Sequence, residues 1–405
     1  MREMSQLKRL IDSNYDTIRR VNCIKRVKMK QNIKKWVWQH ESYPHFPYDK
    51  SQLKELLVSI EYKRGLLDGV AKFFSERDRV NVEVDILTEE ALHTSAIEGE
   101  YLHRESVQNS LKKRLDREFL NLEDSATHQS DALVAVLLDC SLNREPLEVE
   151  RLHAWHNALF EGKRFDVLTK IDVASFRTHD DMEVVSGAIG HEKVHYLALP
   201  QKLIEQDVLK LLEWCNGVDE NIYVKSALAH LWFVIIHPYD DGNGRIARAI
   251  TDYLLSSQSN EKAFKLYSFS MAVNSDRKGY YAILDRTTNL FKNRDYDFTP
   301  WLLWHLKTLN RAMEMALERI DEVIAKTKFW DRCRDKRLNA RQLKVLTKVL
   351  DKGNFEGGIN TKKYMAMTKT SRATAVRDIN ELLEYGCIAQ IEGSLGRSVR
   401  YEVKI

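Results

Sequence analysis

The chain has little of what would make it a disulfide-held, loop-rich or membrane-spanning protein. Its five cysteines, Cys23, Cys140, Cys215, Cys333 and Cys387, are scattered through 405 residues with no C-x-x-C pair and no metal-ligand spacing, so they read as reduced, buried thiols. Six prolines and sixteen glycines leave few breakers, and a mainly α protein with short loops is expected. No run approaches the roughly 18 apolar residues of a membrane span, and the N-terminus lacks the apolar stretch and cleavage site of a secretory signal. No membrane partner is therefore expected, and the expected location is cytoplasmic. The G-x-x-x-x-G-K-[ST] loop, the kinase Gly-rich loop and an H-R-D segment are also missing, which argues against both of those classes of nucleotide enzyme.

What is present suits a folded chain of several units. Apolar residues make up 43% and charged residues 30%, far from the composition of a disordered protein, and the length exceeds what one hydrophobic core usually holds. The net charge of +4 is unevenly spread: +8 over residues 1–35, −11 over 36–335 and +7 over 336–405. Each basic end suits either nucleic acid or an acidic partner, or is merely a solvated face.

Apolar residues recur at three and four in Leu203, Val208, Leu211 and Leu212, and again in Leu228, Leu231, Trp232, Ile235 and Ile236, the stripe of core-facing helices. The chain divides into a basic arm (1–35), an N-terminal helical module (36–90), a large helical body (91–327) and a tail (336–405). Within the body, Val184-Val185-Ser186-Gly187 and Val194-His195-Tyr196 flank a turn around Gly187 and Gly190, the pattern of a β-hairpin. The tail reads as helix 340–350, a short helix near 361–366, a turn, a helix from Ser371 to Tyr385 and two short strands. That order predicts a winged helix-turn-helix with Ser371 as N-cap of the recognition-type helix.

The chemistry is concentrated in His237-Pro238-Tyr239-Asp240-Asp241-Gly242-Asn243-Gly244-Arg245-Ile246-Ala247-Arg248, a loop between two apolar helices. Gly242 and Gly244 let consecutive amides converge on an anion at the start of the second helix. Arg245 and Arg248, three apart, share nearly one face, where their forked guanidinium groups suit successive phosphates. Asp241 offers a hard oxygen ligand beside them, the usual way Mg²⁺ is held by one carboxylate, phosphates and water. His237 supplies an imidazole, able to abstract a proton near neutral pH. Because phosphoryl transfer rests on positioning and charge neutralisation, this set suffices without a covalent nucleophile. His237 and Asp241 would also suit a divalent-metal hydrolase, but such an enzyme does not need the succeeding anion cradle.

The segment resembles the Fic family motif H-x-F-x-[DE]-G-N-G-R-x-x-R, departing from it only at Tyr239, where Phe is usual. The resemblance implies a Fic-type helical bundle with a β-hairpin flap, followed by the winged helix. It implies a nucleotidyltransferase, a protein adenylyltransferase that moves AMP from ATP, with Mg²⁺, onto a Tyr, Ser or Thr hydroxyl of a target protein or of itself. His237 would be the base, Asp241 the metal ligand, Gly242, Asn243 and Gly244 the holders of the inner phosphates, and Arg245 and Arg248 those of the outer ones. The hairpin would be the flap that aligns the target by main-chain pairing. Tyr280 and Tyr281 fall where the family often places aromatics near the base, with core packing the equal alternative. Thr94-Ser95-Ala96-Ile97-Glu98-Gly99 resembles the family's inhibitory motif [ST]-x-x-x-E-[GN], in which Glu98 would pair with Arg248 and forbid the productive ATP pose; otherwise it is a helix-end glutamate with a C-cap glycine.

Other readings stay open. The same glutamate assists the reverse, hydrolytic reaction in some members, so net removal of AMP is one alternative, and another phosphate-linked donor is a second. A third is a DNA-binding regulator that uses the body as a nucleotide sensor. Arg372, Arg377, Lys369, Arg397 and Arg400 suit DNA phosphates, with Thr374 and Ala373 near base edges, whereas Asp378, Glu381 and Glu384 load the same helix with acid. The flanking modules would choose the target or set the oligomer, a homodimer among the options. The aromatic run from Trp36 to Tyr48 reads as packing, and His191 and His195 as surface residues rather than metal ligands.

Overall fold

One fifteen-residue helix is mostly apolar around its circumference, and such a helix belongs in a core. This is Ile222–Ile236, here α7, capped by Asn221, whose side chain accepts the amides of Tyr223 and Val224 at 3.1 and 3.4 Å. Such a cap contributes about 1 kcal/mol. Its neighbour α8, Asn243–Ser257, is nearly as enclosed, and the two pack side by side. The rest of the unit surrounds this pair.

The structure, a computed structural model, describes residues 34–115, 127–160, 171–180, 182–186, 193–257, 265–351, 358–394 and 399–404. The chain forms two units, 1–316 and 317–405. In the first, α1 (Lys54–Ala71), α2 (Glu76–Ile97), α3 (Arg104–Leu115), α4 (His128–Leu142) and α5 (Val149–Phe160) precede a hairpin of β1 (Glu183–Ser186) and β2 (Lys193–Leu197). Then come α6 (Gln201–Gly217), α7, α8, α9 (Phe269–Ser275), α10 (Arg277–Thr288) and the long α11 (Thr299–Cys333). Helix α2 packs on α3 and α9, and α4 on α8.

The expected hairpin is antiparallel, Glu183 opposite Leu197 and Ser186 opposite Lys193, with a register shift between Val184 and Val185. Its turn, with Gly187, Gly190 and His191, lies outside the described residues, as does the basic arm to residue 33 with Cys23. The aromatic run packs across the body: Trp38 donates its indole N–H to the Leu197 carbonyl at 2.8 Å, and Phe46 meets Trp232 and Phe298 edge-on.

Two expected boundaries fall inside continuous helices. Helix α2 runs through residue 90, and α11 runs through residue 327. Neither place carries a Pro or Gly to stop a helix, and the units divide at 316/317, inside α11. In α6 the buried apolar residues are Ile204, Val208, Leu211, Leu212 and Cys215, whereas Leu203, expected in the stripe, is 36% exposed. Ile204, one position on, holds that place, because 3.6 residues per turn carries Leu203 past the edge of the buried face.

In the second unit, α12 (Ala340–Asp351), α13 (Thr361–Thr368) and α14 (Arg372–Glu384) precede an antiparallel pair, β3 (Ile388–Gln390) with β4 (Tyr401–Val403). A single isolated bridge also pairs Ile359 with Tyr401. Ser371 caps α14 by accepting the Thr374 amide. The core gathers Val345, Leu346, Tyr364, Ile379, Leu382 and Ile388, with Phe329 and Cys333 from the end of α11. No helix among the described residues is long and apolar enough to cross a membrane.

Candidate active site

Helix α7 ends at His237, which adopts the left-handed conformation (φ 50°, ψ 58°) and turns the chain away. A non-glycine residue in that region needs support. Arg177 supplies it from a single buried position. Its Nε donates to the His237 carbonyl at 2.9 Å, its other nitrogens to the carbonyls of His179 and Leu199, and its amide to the Pro238 carbonyl. Burial pulls this guanidinium down to about 10, against Asp180 and Tyr196. His237 Nδ1 lies 3.3 Å from the Val234 carbonyl, which can only accept, so Nδ1 is the donor of that contact.

The loop that follows is held from within. Asn243 closes a ring with Tyr239, accepting its amide at 3.0 Å and donating to its carbonyl at 2.8 Å. The Asn243 side chain is thus committed to the loop, and what it offers an anion is its backbone. The Tyr239 ring is fully buried, stacked on His156 with centroids 4.2 Å apart, and its hydroxyl lies 2.9 Å from His153 Nδ1. This explains how a tyrosine fills a place where phenylalanine is usual: the extra oxygen has its own partner. Asp240 is buried and accepts the Asp172 amide at 2.7 Å and His179 Nε2 at 3.0 Å.

Asp241 is exposed, and its Oδ1 accepts the Gly242 amide at 2.7 Å. Gly242 has φ +78°, and a Cβ there would collide with the Phe160 ring. The first-turn amides of α8 have no intrahelical acceptor, and this carboxylate stands just before them. Mg²⁺ is usually held by one carboxylate plus phosphates and water, and Asp241 is the exposed carboxylate this loop offers.

Arg245 and Arg248 are both buried, 6% and 1% exposed. Arg248 donates through Nε to Thr94 Oγ1 at 2.8 Å, and through one terminal nitrogen to the Thr94 carbonyl at 3.0 Å and to Glu98 Oε1 at 2.8 Å. Burial opposes its charge, but Glu98, with Tyr280 and Tyr281 nearby, outweighs it and holds the group above its ordinary value. Its Nη1 has no hydrogen-bond partner among the described residues. A Cβ on Gly244 would collide with the Glu98 carboxylate and stand 3.3 Å from that Nη1. The glutamate therefore lies against the backbone at the start of α8. Gly99, at φ +82°, ends the helix as a C-cap, so the cap and the pairing hold together.

The sequence reading missed Glu100. Its Oε2 accepts Arg245 Nη1 at 2.9 Å, while the guanidinium lies over the Phe160 ring with its carbon 5.0 Å from the centroid. Both motif arginines are thus engaged by carboxylates from the same helix end; the one available signal was a second acid two residues after Glu98. Arg177 gave no signal, being a lone arginine sixty residues from the loop it holds. Tyr280 belongs to the core, 2% exposed with its hydroxyl 2.9 Å from His230 Nε2. Tyr281 donates its hydroxyl to the Ile97 carbonyl at 3.1 Å and so touches the turn that carries Glu98.

Residues 36–116 match a model described as a domain of unknown function, DUF4172, and residues 146–255 match that of the Fic/DOC family. Glu98 and Glu100 lie in the first match, and the loop with both arginines in the second. A crystal structure of a Fic family protein from Desulfovibrio desulfuricans G20 superposes with a TM-score of 0.51 at 17% identity, covering 89% of this chain and 98% of that one. A Fic domain containing signalling protein from Bacteroides thetaiotaomicron VPI-5482 gives 0.47 at 17% identity, over 66% of this chain and 95% of that one. Fic-1 from C. elegans gives 0.45 at 16%, over 67% and 73%. The mainly helical fold and the 146–255 match together establish that the chain carries a Fic/DOC family domain.

Proposed function

We propose that the protein is an autoinhibited adenylyltransferase, which moves AMP from ATP onto a Tyr, Ser or Thr hydroxyl of a protein. The observation that carries this reading is the meeting, at one helix start, of an imidazole held through Nδ1, the first-turn amides and two buried arginines. The first-turn amides and Arg248 Nη1 hold the phosphates, and Asp241 holds Mg²⁺, which neutralises charge on the phosphate oxygens. His237 Nε2 takes the proton of the incoming hydroxyl. The oxygen then attacks the α-phosphorus, its bond to the bridging oxygen breaks, and pyrophosphate leaves. Glu98 restrains the reaction, because its carboxylate takes a guanidinium contact and the space beside Gly244 that the outer phosphates need.

The test is incubation of wild type, Glu98→Gly and His237→Ala with Mg²⁺ and α-labelled ATP, read by intact mass and autoradiography. Labelling is expected to rise at least tenfold in Glu98→Gly and to be lost in a Glu98→Gly, His237→Ala double variant. Equal labelling of wild type and Glu98→Gly would remove the autoinhibitory role, and label that survives loss of His237 would remove the base.

A further inference from the structure

The second unit answers a question its sequence leaves balanced, namely which way the acids of α14 point. Asp378 is 2% exposed and turned inward: it accepts Arg341 at 2.7 and 3.0 Å, Asn339 at 3.1 Å and the Tyr364 hydroxyl at 3.0 Å. Glu381 accepts the Gln342 amide at 2.8 Å. Two of the three acids of the helix thus turn to the core side, and the third, Glu384, is its exposed last residue. Its outer face over the first turns carries Arg372, Ala373, Val376, Arg377 and Asn380, all exposed. Neither arginine makes an ion pair among the described residues.

We infer that α14 is a reading helix for duplex DNA, with Arg372 and Arg377 on the phosphates and Val376 and Asn380 toward the base edges. Four observations support this occupant. The face is cationic and free of acid from Arg372 to Asn380; the exposed acids Glu384, Glu392 and Glu402 lie at the far end of the helix or on the hairpin. Residues 336–405 carry +7, matching a polyanion rather than an acid-poor protein surface. Lys369, in the left-handed turn before the helix, and Arg400, at the edge of the strand pair, are exposed as well; Arg397 lies outside the described residues. The major groove of B-DNA, about 12 Å wide, admits a helix with its side chains, whereas that of A-form RNA is too deep and narrow. Val376, 41% exposed, is an apolar group with no described cover that suits a thymine methyl, and Asn380 suits an adenine edge.

The inference stands apart from the transferase reading. Its test uses the full chain, with a fluorescein-labelled mixed-sequence DNA duplex and an RNA duplex of the same length, followed by anisotropy between about 50 and 200 mM salt. Wild type is expected to bind the DNA with an affinity that falls linearly in log salt. The Arg372→Ala, Arg377→Ala double variant is expected to bind about tenfold more weakly, with a slope shallower by about 2. An unchanged circular dichroism melt shows that the variant is folded. No binding by wild type overturns the inference. An unchanged slope in the variant also overturns it and assigns binding to the basic arm, and equal affinity for the RNA duplex removes the groove reading.

Discussion

Helices α8 and α14 begin alike, each carrying two arginines within its first two turns, and their surroundings make opposite use of them. In α8 the arginines point inward, and carboxylates from another helix come to meet them. In α14 the arginines point outward, and it is the acid of the helix, Asp378, that is buried against an arginine from elsewhere. Arginines near two helix starts are thus paired with the chain's own carboxylates in one unit and left exposed in the other. Burial makes the difference, because a guanidinium out of water must find an anion, its own or a ligand's, while one in water need not.

The largest expected effect tests that contrast directly. Arg248→Ala loses three hydrogen bonds and leaves the Glu98 carboxylate without its cation, and is expected to lower unfolding free energy by about 3 kcal/mol in urea titration. Arg372→Ala should leave the transition where it was. Equal losses would break the comparison.

A second effect concerns a buried titratable group in the first unit. His305 is fully buried, and burial lowers it to about 3; neither ring nitrogen has a hydrogen-bond partner among the described residues. Its folded value lies below the unfolded one of about 6.5, so the unfolded chain binds the extra proton as pH falls between the two. Stability from this group is present above about 6.5 and lost on acidification, by up to about 1.4 kcal/mol per pH unit. His305→Leu should flatten that slope in unfolding titrations; an unchanged slope would assign it to other groups, such as buried His230, also held low by burial and by His305.

Smaller effects sharpen the picture of the loop. Tyr239→Phe removes a buried hydroxyl from His153 and is expected to cost about 1 kcal/mol while leaving any labelling activity of Glu98→Gly intact. Glu100→Gln weakens the hold on Arg245, a contact with a quarter-exposed carboxylate, and should cost about 0.5 kcal/mol. In the labelling assay it should act in the same direction as Glu98→Gly but less, since Glu98 alone lies against Gly244. A Glu100→Gln gain equal to that of Glu98→Gly would make the two carboxylates equivalent.

The legible parts of the chain were those whose physics is local. The apolar wrap of α7, the Ser371 cap, the hairpin residues and the contiguous run from His237 to Arg248 all act within a few residues of one another, and sequence spacing reports that directly. Asn243 was read as a phosphate holder, and the structure commits its side chain to Tyr239, because a hydrogen bond back to residue i−4 is as local as a bond to a ligand and spacing does not separate them. Tyr280 stood between nucleotide base and core until its hydroxyl was seen against His230.

By itself the sequence determined a mainly helical protein, a loop of glycines and arginines with a histidine before it, and a basic, mixed helix-and-strand tail. Beyond the Glu98–Arg248 pair that the resemblance implied, only the tertiary structure decided which charges meet. It brought Glu100 to Arg245, placed Arg177 under the His237 turn, turned Asp378 inward, and set the Sγ atoms of Cys333 and Cys387, apart in sequence, 3.2 Å from each other. The reason is physical: periodicity and propensity are fixed over a few residues, whereas pairing of buried charges depends on which faces pack, and that is settled by the whole core at once.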